Sequence, residues 1–140
     1  MLVRRRVFDE VGFLPEHYFL YFEETDLQMR ARSVGWRSYM SPLARVWHYQ
    51  RSASQLPAPY YVYYYIRGRF LFAVANSGLS PDQIESGLAG FIEGWRARVA
   101  ERAPDWLEAY DRLVESAIAD GRAGLTGRRD DIDATTAPGR

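Results

Sequence analysis

Apolar residues recur along this chain mostly at helical spacing, with Gly and Pro marking the breaks. VFDEVG reads as a short helical turn stopped at Gly12, because glycine takes the left-handed backbone that commonly follows a helix. Pro15 opens the next segment. Over 23–34, Leu27, Ala31 and Val34 fall at i, i+4 and i+7, Leu20 stands one heptad before Leu27, and Gly35 marks the exit, so a helix is predicted. WRSYMSPLARVWHYQ instead alternates through Ala44, Val46 and His48 with a period of two, which predicts a short strand ending near His48. RSASQLPAP is a loop by its small, polar and proline residues.

The second half predicts three longer helices. YYVYYYIRGRFLFAVANSG has strand-like composition, but its length and its closure at Gly78 favour a helix. Ser80 as N-cap, Pro81 at the first helical position and Gln83 three residues after the cap form a capping-box start. Gly87, Gly90 and Gly94 weaken that helix by roughly 1 kcal/mol each relative to alanine, and close packing against a neighbour is what they would permit. A last helix over 104–119 carries Trp106, Leu107, Tyr110, Leu113, Val114 and Ala117 on one face. From 121 to 140 the chain is glycine-rich and polar, with too few apolar groups to offset ordering entropy, so a mobile tail is expected.

Composition narrows the function classes. A chain of 140 residues with a 47% hydrophobic share is long enough for one domain with a core. Eighteen basic and eighteen acidic residues cancel, so nothing in the balance favours nucleic acid. The absence of cysteine removes disulfides, thiol nucleophiles and thiolate metal sites, and fits a reducing, cytoplasmic setting. Charged or polar residues interrupt every apolar run before it could span a bilayer. Aromatics reach 15%, with five tyrosines inside 60–65. Tyrosine together with Arg67 and Arg69 suits peripheral contact with a membrane surface, and ordinary packing is the other account.

Three carboxylates, Glu23, Glu24 and Asp26, follow the aromatic run FLYF. They suit a helix start, where acids face the positive end of the macrodipole, and Asp26 stands i, i+4 from Arg30. They equally suit catalysis, since adjacent carboxylates behind aromatic walls can be held at different pKa values and one can act as a general base.

The order of motifs favours the second reading. MLVRR, then FDEVGFLPEHYFLYFEETDLQMR, then GWRSYMSPLARVWH together resemble the carboxyl-terminal half of the catalytic domain of family 2 glycosyltransferases, in the rhamnosyltransferase-like group. The likeness covers roughly 1–54 and is looser beyond, where YYYIRGRFLF stands in place of the family's frequent Arg-Asn pair. It implies an α/β, helix-dominated fold: 1–56 as the acceptor-side part of a GT-A type, Rossmann-like domain, 57–120 as a helical extension, and 121–140 as the tail.

By that resemblance the reaction is an inverting transfer from a nucleotide-sugar to a hydroxyl of a glycan or lipid-linked acceptor, at the inner face of the membrane. Glu24 takes the place of the base, where the family usually has aspartate. Glutamate is one methylene longer, and a misplacement of about 1 Å can cost on the order of a hundredfold in rate. Glu23 and Asp26 would shape the acceptor site and orient the helix start, with Asp26 bonded to backbone N–H groups. His48 matches a histidine that completes the metal site in some relatives, and the expected cofactor is a divalent cation, Mg²⁺ or Mn²⁺. The family's nucleotide-binding half and its Asp-x-Asp element have no counterpart here, since DDIDA at 130–134 lies in the tail. A chain holding the acceptor side alone is therefore expected to be inactive by itself. Two other readings stay open: a non-catalytic helical module docking through 60–72, and a truncated reading frame.

Overall fold

The structure is a computed structural model and describes residues 1–47 and 56–133. Helices α1 (Arg5–Val11) and α2 (Glu23–Ser33) lie in the first half, and α3 (Pro59–Asn76), α4 (Pro81–Arg102), α5 (Leu107–Arg122) and the single turn α6 (Asp130–Asp133) in the second. Short 3-10 turns at Glu16–Tyr18 and Pro104–Trp106 lead into α2 and α5.

Helices α3, α4 and α5 pack pairwise into a three-helix core. Pro59 at the first position and fully buried Ile66 and Phe70 define α3 as the central helix. The capping box of α4 forms as the spacing predicts: Gln83 N donates to Ser80 Oγ at 3.3 Å and Ser80 N to Gln83 Oε1 at 2.9 Å. Leu113, Val114 and Ala117 line the buried stripe of α5, which faces α3. Gly121 of α5 lies close against α3, where a Cβ would stand 2.8 Å from Phe70 Cβ. Gly87, Gly90 and Gly94 do not have the packing role expected of them, for nothing lies within 4 Å of the Cβ each lacks.

The predicted strand does not form among the described residues. Residues 36–47 carry only a turn, and Tyr39, Met40, Leu43, Val46 and Trp47 are almost fully exposed. A strand leaves its backbone N–H and C=O groups unpaired until an edge meets them, and no strand among the described residues supplies one. Thus the α/β expectation reduces, over the described residues, to helix and turn.

The expected tail also differs. Residues 121–133 lie against the core: Arg129 N donates to Tyr64 Oη at 2.8 Å, Arg129 Nη1 to Asp120 Oδ2 at 2.5 Å, and Ile132 is buried. Polar contacts and one isoleucine do what composition alone did not signal. The tyrosine run is mostly interior, with Tyr63, Tyr64 and Arg67 fully buried, so Arg67 cannot face a membrane. No helix among the described residues is long and apolar enough to cross one.

A candidate acid site on a strained turn

The acids stand where an unusual backbone meets the start of α2. Phe19 (φ 68°), Tyr21 (φ 67°) and Phe22 (φ 71°) all adopt positive φ. Such conformations cost of order 1–3 kcal/mol each for non-glycine residues and persist only where the surroundings impose them. Here the imposing surface is α3. Phe19 meets Tyr64 with ring centroids 4.9 Å apart, Tyr21 meets Tyr61 edge-on at 5.3 Å, and Phe22 lies 5.4 Å from Tyr65 and 5.7 Å from Phe72. The tyrosine cluster is thus the platform on which the acid-bearing turn rests.

Each acid has a different environment. Glu23, the first residue of α2, is half-buried, and its Oε2 has no hydrogen-bond partner among the described residues. Burial raises its pKa, a bond from its own backbone N–H opposes the shift, and the charge of Glu24 adds to it. Glu24 is exposed, and no hydrogen bond or ion pair engages it among the described residues. Asp26 turns away from both. Its Oδ2 accepts from Arg30 Nε at 2.6 Å and its Oδ1 from Tyr18 Oη at 3.4 Å. Arg30 continues to the carbonyls of Val11 and of Phe13, the latter at 2.9 Å. Asp26 is thereby a tether joining α2 to the end of α1, not a ligand of backbone N–H groups as expected. Burial, with the Asp26 charge, pushes Tyr18 up to about 12.

Glu23 and Glu24 thus form an unequal pair, one half-buried and one open to solvent, at the positive end of the α2 dipole. They do not line the groove of about 830 Å³ that the described residues form along α2 between Val3, Val7, Leu27, Trp36 and Tyr39. Among the described residues no three His, Asp or Glu side chains stand together to hold a metal ion, and His48 lies outside those residues. The described residues by themselves therefore do not fit a cation.

Arg67 and Gly68 escaped the sequence reading as site residues. An arginine amid aromatics, followed by glycine inside a helix, was the available signal.

Comparison with known proteins yields relatives over part of the chain. It is 35% identical over 79 residues to N-acetylglucosaminyl-diphospho-decaprenol L-rhamnosyltransferase of Mycobacterium tuberculosis, covering 56% of this chain and 26% of that protein. It is 30% identical over 97 residues to the low-salt glycan biosynthesis hexosyltransferase Agl10 of Haloferax volcanii, covering 68% of this chain and 32% of that protein. No family model matches the chain, and no solved structure matches it. The chain spans about a quarter to a third of the length of these curated relatives, and contains a region similar to glycosyltransferases.

Proposed function

We propose that residues 1–56 are the acceptor-side part of a family 2, GT-A type glycosyltransferase domain, working by inversion with Glu24 as general base. The observation that carries this reading is the unequal pair at the α2 start: Glu24 open to solvent beside a half-buried Glu23. In the reaction the acceptor O–H gives its proton to the Glu24 carboxylate as its oxygen bonds to the anomeric carbon of the donor. The bond from that carbon to the diphosphate oxygen breaks on the opposite face, and its electron pair leaves with the nucleoside diphosphate. Burial raises the pKa of Glu23, and Glu24 is the acid of the pair that an acceptor can reach from solvent.

Given the relatives' names, the acceptor class proposed is a glycan or a lipid-linked saccharide. A donor site, and any divalent cation that would neutralise the departing diphosphate, would have to be supplied by residues other than those described. The exposed apolar side chains of Tyr39, Met40, Leu43, Val46 and Trp47, with Met1 and Leu2, are the surface that a donor-binding half would cover. The burial of Tyr63, Tyr64, Ile66, Arg67 and Phe70 supports this reading over a module docking through 60–72.

The test is transfer by a protein in which this chain is joined to a donor-binding half, supplied with a nucleotide-sugar and a lipid-linked saccharide. Inverted anomeric configuration in the product is expected, and a retained configuration rejects the mechanism. For the chain alone, calorimetry with nucleotide-sugars and Mn²⁺ should register no binding; micromolar binding would show that the donor site lies within these residues.

A further inference from the structure

Arg67 is the bulkiest side chain with no exposed surface, and a buried guanidinium is costly unless its donors are met. Its partners are not carboxylates. Nη2 donates to Tyr18 O at 3.1 Å and to Gly127 O at 2.6 Å, Nη1 approaches Tyr63 Oη at 3.4 Å, and Nε has no partner among the described residues. The group also lies 5.2 and 5.1 Å from the ring centroids of Tyr63 and Tyr64. An apolar side chain in its place would fill the volume but leave the carbonyls of Tyr18 and Gly127 without their donor. What Arg67 does instead is join two distant segments, which also touch directly where Gly127 N donates to His17 O at 2.8 Å.

The next residue acts on the other end of the same turn. A Cβ on Gly68 would stand 3.1 Å from Phe22 Cδ2, 3.5 Å from Tyr21 O and 3.7 Å from Leu20 O. Only a bare helix surface lets that backbone lie so close. Arg67 thus holds the entry of the turn at Tyr18, Gly68 seats its exit at Phe22, and the three positive-φ residues lie between. Glu23 and Glu24 follow immediately. Gly127 is held in turn by Arg129, whose main chain bonds Tyr64 Oη and whose side chain bonds Asp120.

We infer that Arg67, Gly68 and Gly127 are positioning residues, a clamp through which the carboxyl-terminal segment sets the acid-bearing turn. They touch no reacting atom. The consequence for catalysis rests on the reading of Glu24 as base; the clamp itself is a property of the turn and is measured without turnover.

The experiment is hydrogen exchange over 17–26, with an NMR titration of the Glu23 carboxyl, on the whole chain and its variants. Because Arg67→Leu may not fold, the decisive variants are Gly127→Pro, in a half-buried surface segment outside the helices, and Gly68→Ala. Gly127→Pro removes the N–H bonded to His17 and forbids the positive φ of 78°. Exchange over 17–26 should rise about tenfold while α3 and α5 keep their protection. Gly68→Ala should push Phe22 outward, admit water to Glu23 and move its titration down toward that of an ordinary glutamate. Exchange at the wild-type rate together with an unmoved Glu23 titration, in folded variants, overturns the clamp. Should the clamp variants loosen the turn while Glu24→Gln still transfers sugar in the joined enzyme, the base assignment fails and the clamp stands.

Discussion

The two halves of the molecule differ in how they dispose of apolar side chains. In 56–133, Val62, Ile66, Phe70, Leu88, Val99 and Leu113 share one core with the interior tyrosines. In 1–47 only Val7, Tyr18 and Leu27 are buried among the apolar residues, while Leu2, Phe13, Met40, Leu43 and Trp47 face outward. A helix satisfies its own backbone and needs a partner only for one stripe; a strand needs a partner for its backbone as well. The helical half therefore completes itself, and the strand-patterned 36–47 does not. The acids sit at the junction, on the incomplete half but resting on the complete one.

This contrast can be broken most severely from the core. Phe70→Ala should cost about 3–5 kcal/mol, because the ring is fully buried beneath Gly121, and denaturant unfolding should show it as a lower midpoint. Arg30→Ala should act locally, by about 1–3 kcal/mol, since it leaves the carbonyls of Val11 and Phe13 and the Asp26 carboxylate without their shared donor. Hydrogen exchange should then quicken in α1 and α2 and hold steady in α3 and α5. Gly90→Ala should have the opposite sign, stabilising by about 0.4–1 kcal/mol, since the added methyl meets open space within a helix. An unchanged or lower melting temperature for that variant would mean that α4 packs against something at Gly90.

The smallest effect is one of pH. Glu23 titrates above its ordinary 4.5 in the folded chain, so below 4.5 it is protonated in both states and carries no penalty. As pH rises through the folded value the unfolded chain ionises first, and stability falls. Glu23→Gln should remove that loss: the variant should match the wild type in acid and melt higher at neutral pH. Parallel melting curves at both pH values would mean that Glu23 is as solvated folded as unfolded.

How much of this was legible in the sequence depends on how local each cause is. The start of α4 was readable because Ser80, Pro81 and Gln83 act within one turn. The Asp26–Arg30 pair was readable from its spacing, though the reach of Arg30 to α1 was not. The docking of 121–133 depends on Arg129, Asp120 and Tyr64 meeting across the fold, which composition does not express. Likewise the glycines that matter for close approach are Gly68 and Gly121, and the regularly spaced trio in α4 drew attention for a pattern that no contact uses. Three aromatic residues at positive φ carry no local signal at all, since their backbone is imposed by α3. The strand over 44–48 was misread because period-two alternation states a preference that only a partner edge can realise, and His48 falls outside the described residues.

The most direct test of the account is the pH dependence of sugar transfer by this chain joined to a donor-binding half, with Glu24 intact and as Glu24→Gln. A base in contact with the acceptor hydroxyl should contribute about 10²–10⁴ in kcat, so Glu24→Gln should lose that much while the KM for the donor holds. Glu24→Asp keeps the carboxylate one methylene shorter and should fall between the wild type and Glu24→Gln. Wild-type turnover in Glu24→Gln, with the same acidic limb in its pH profile, would contradict the assignment.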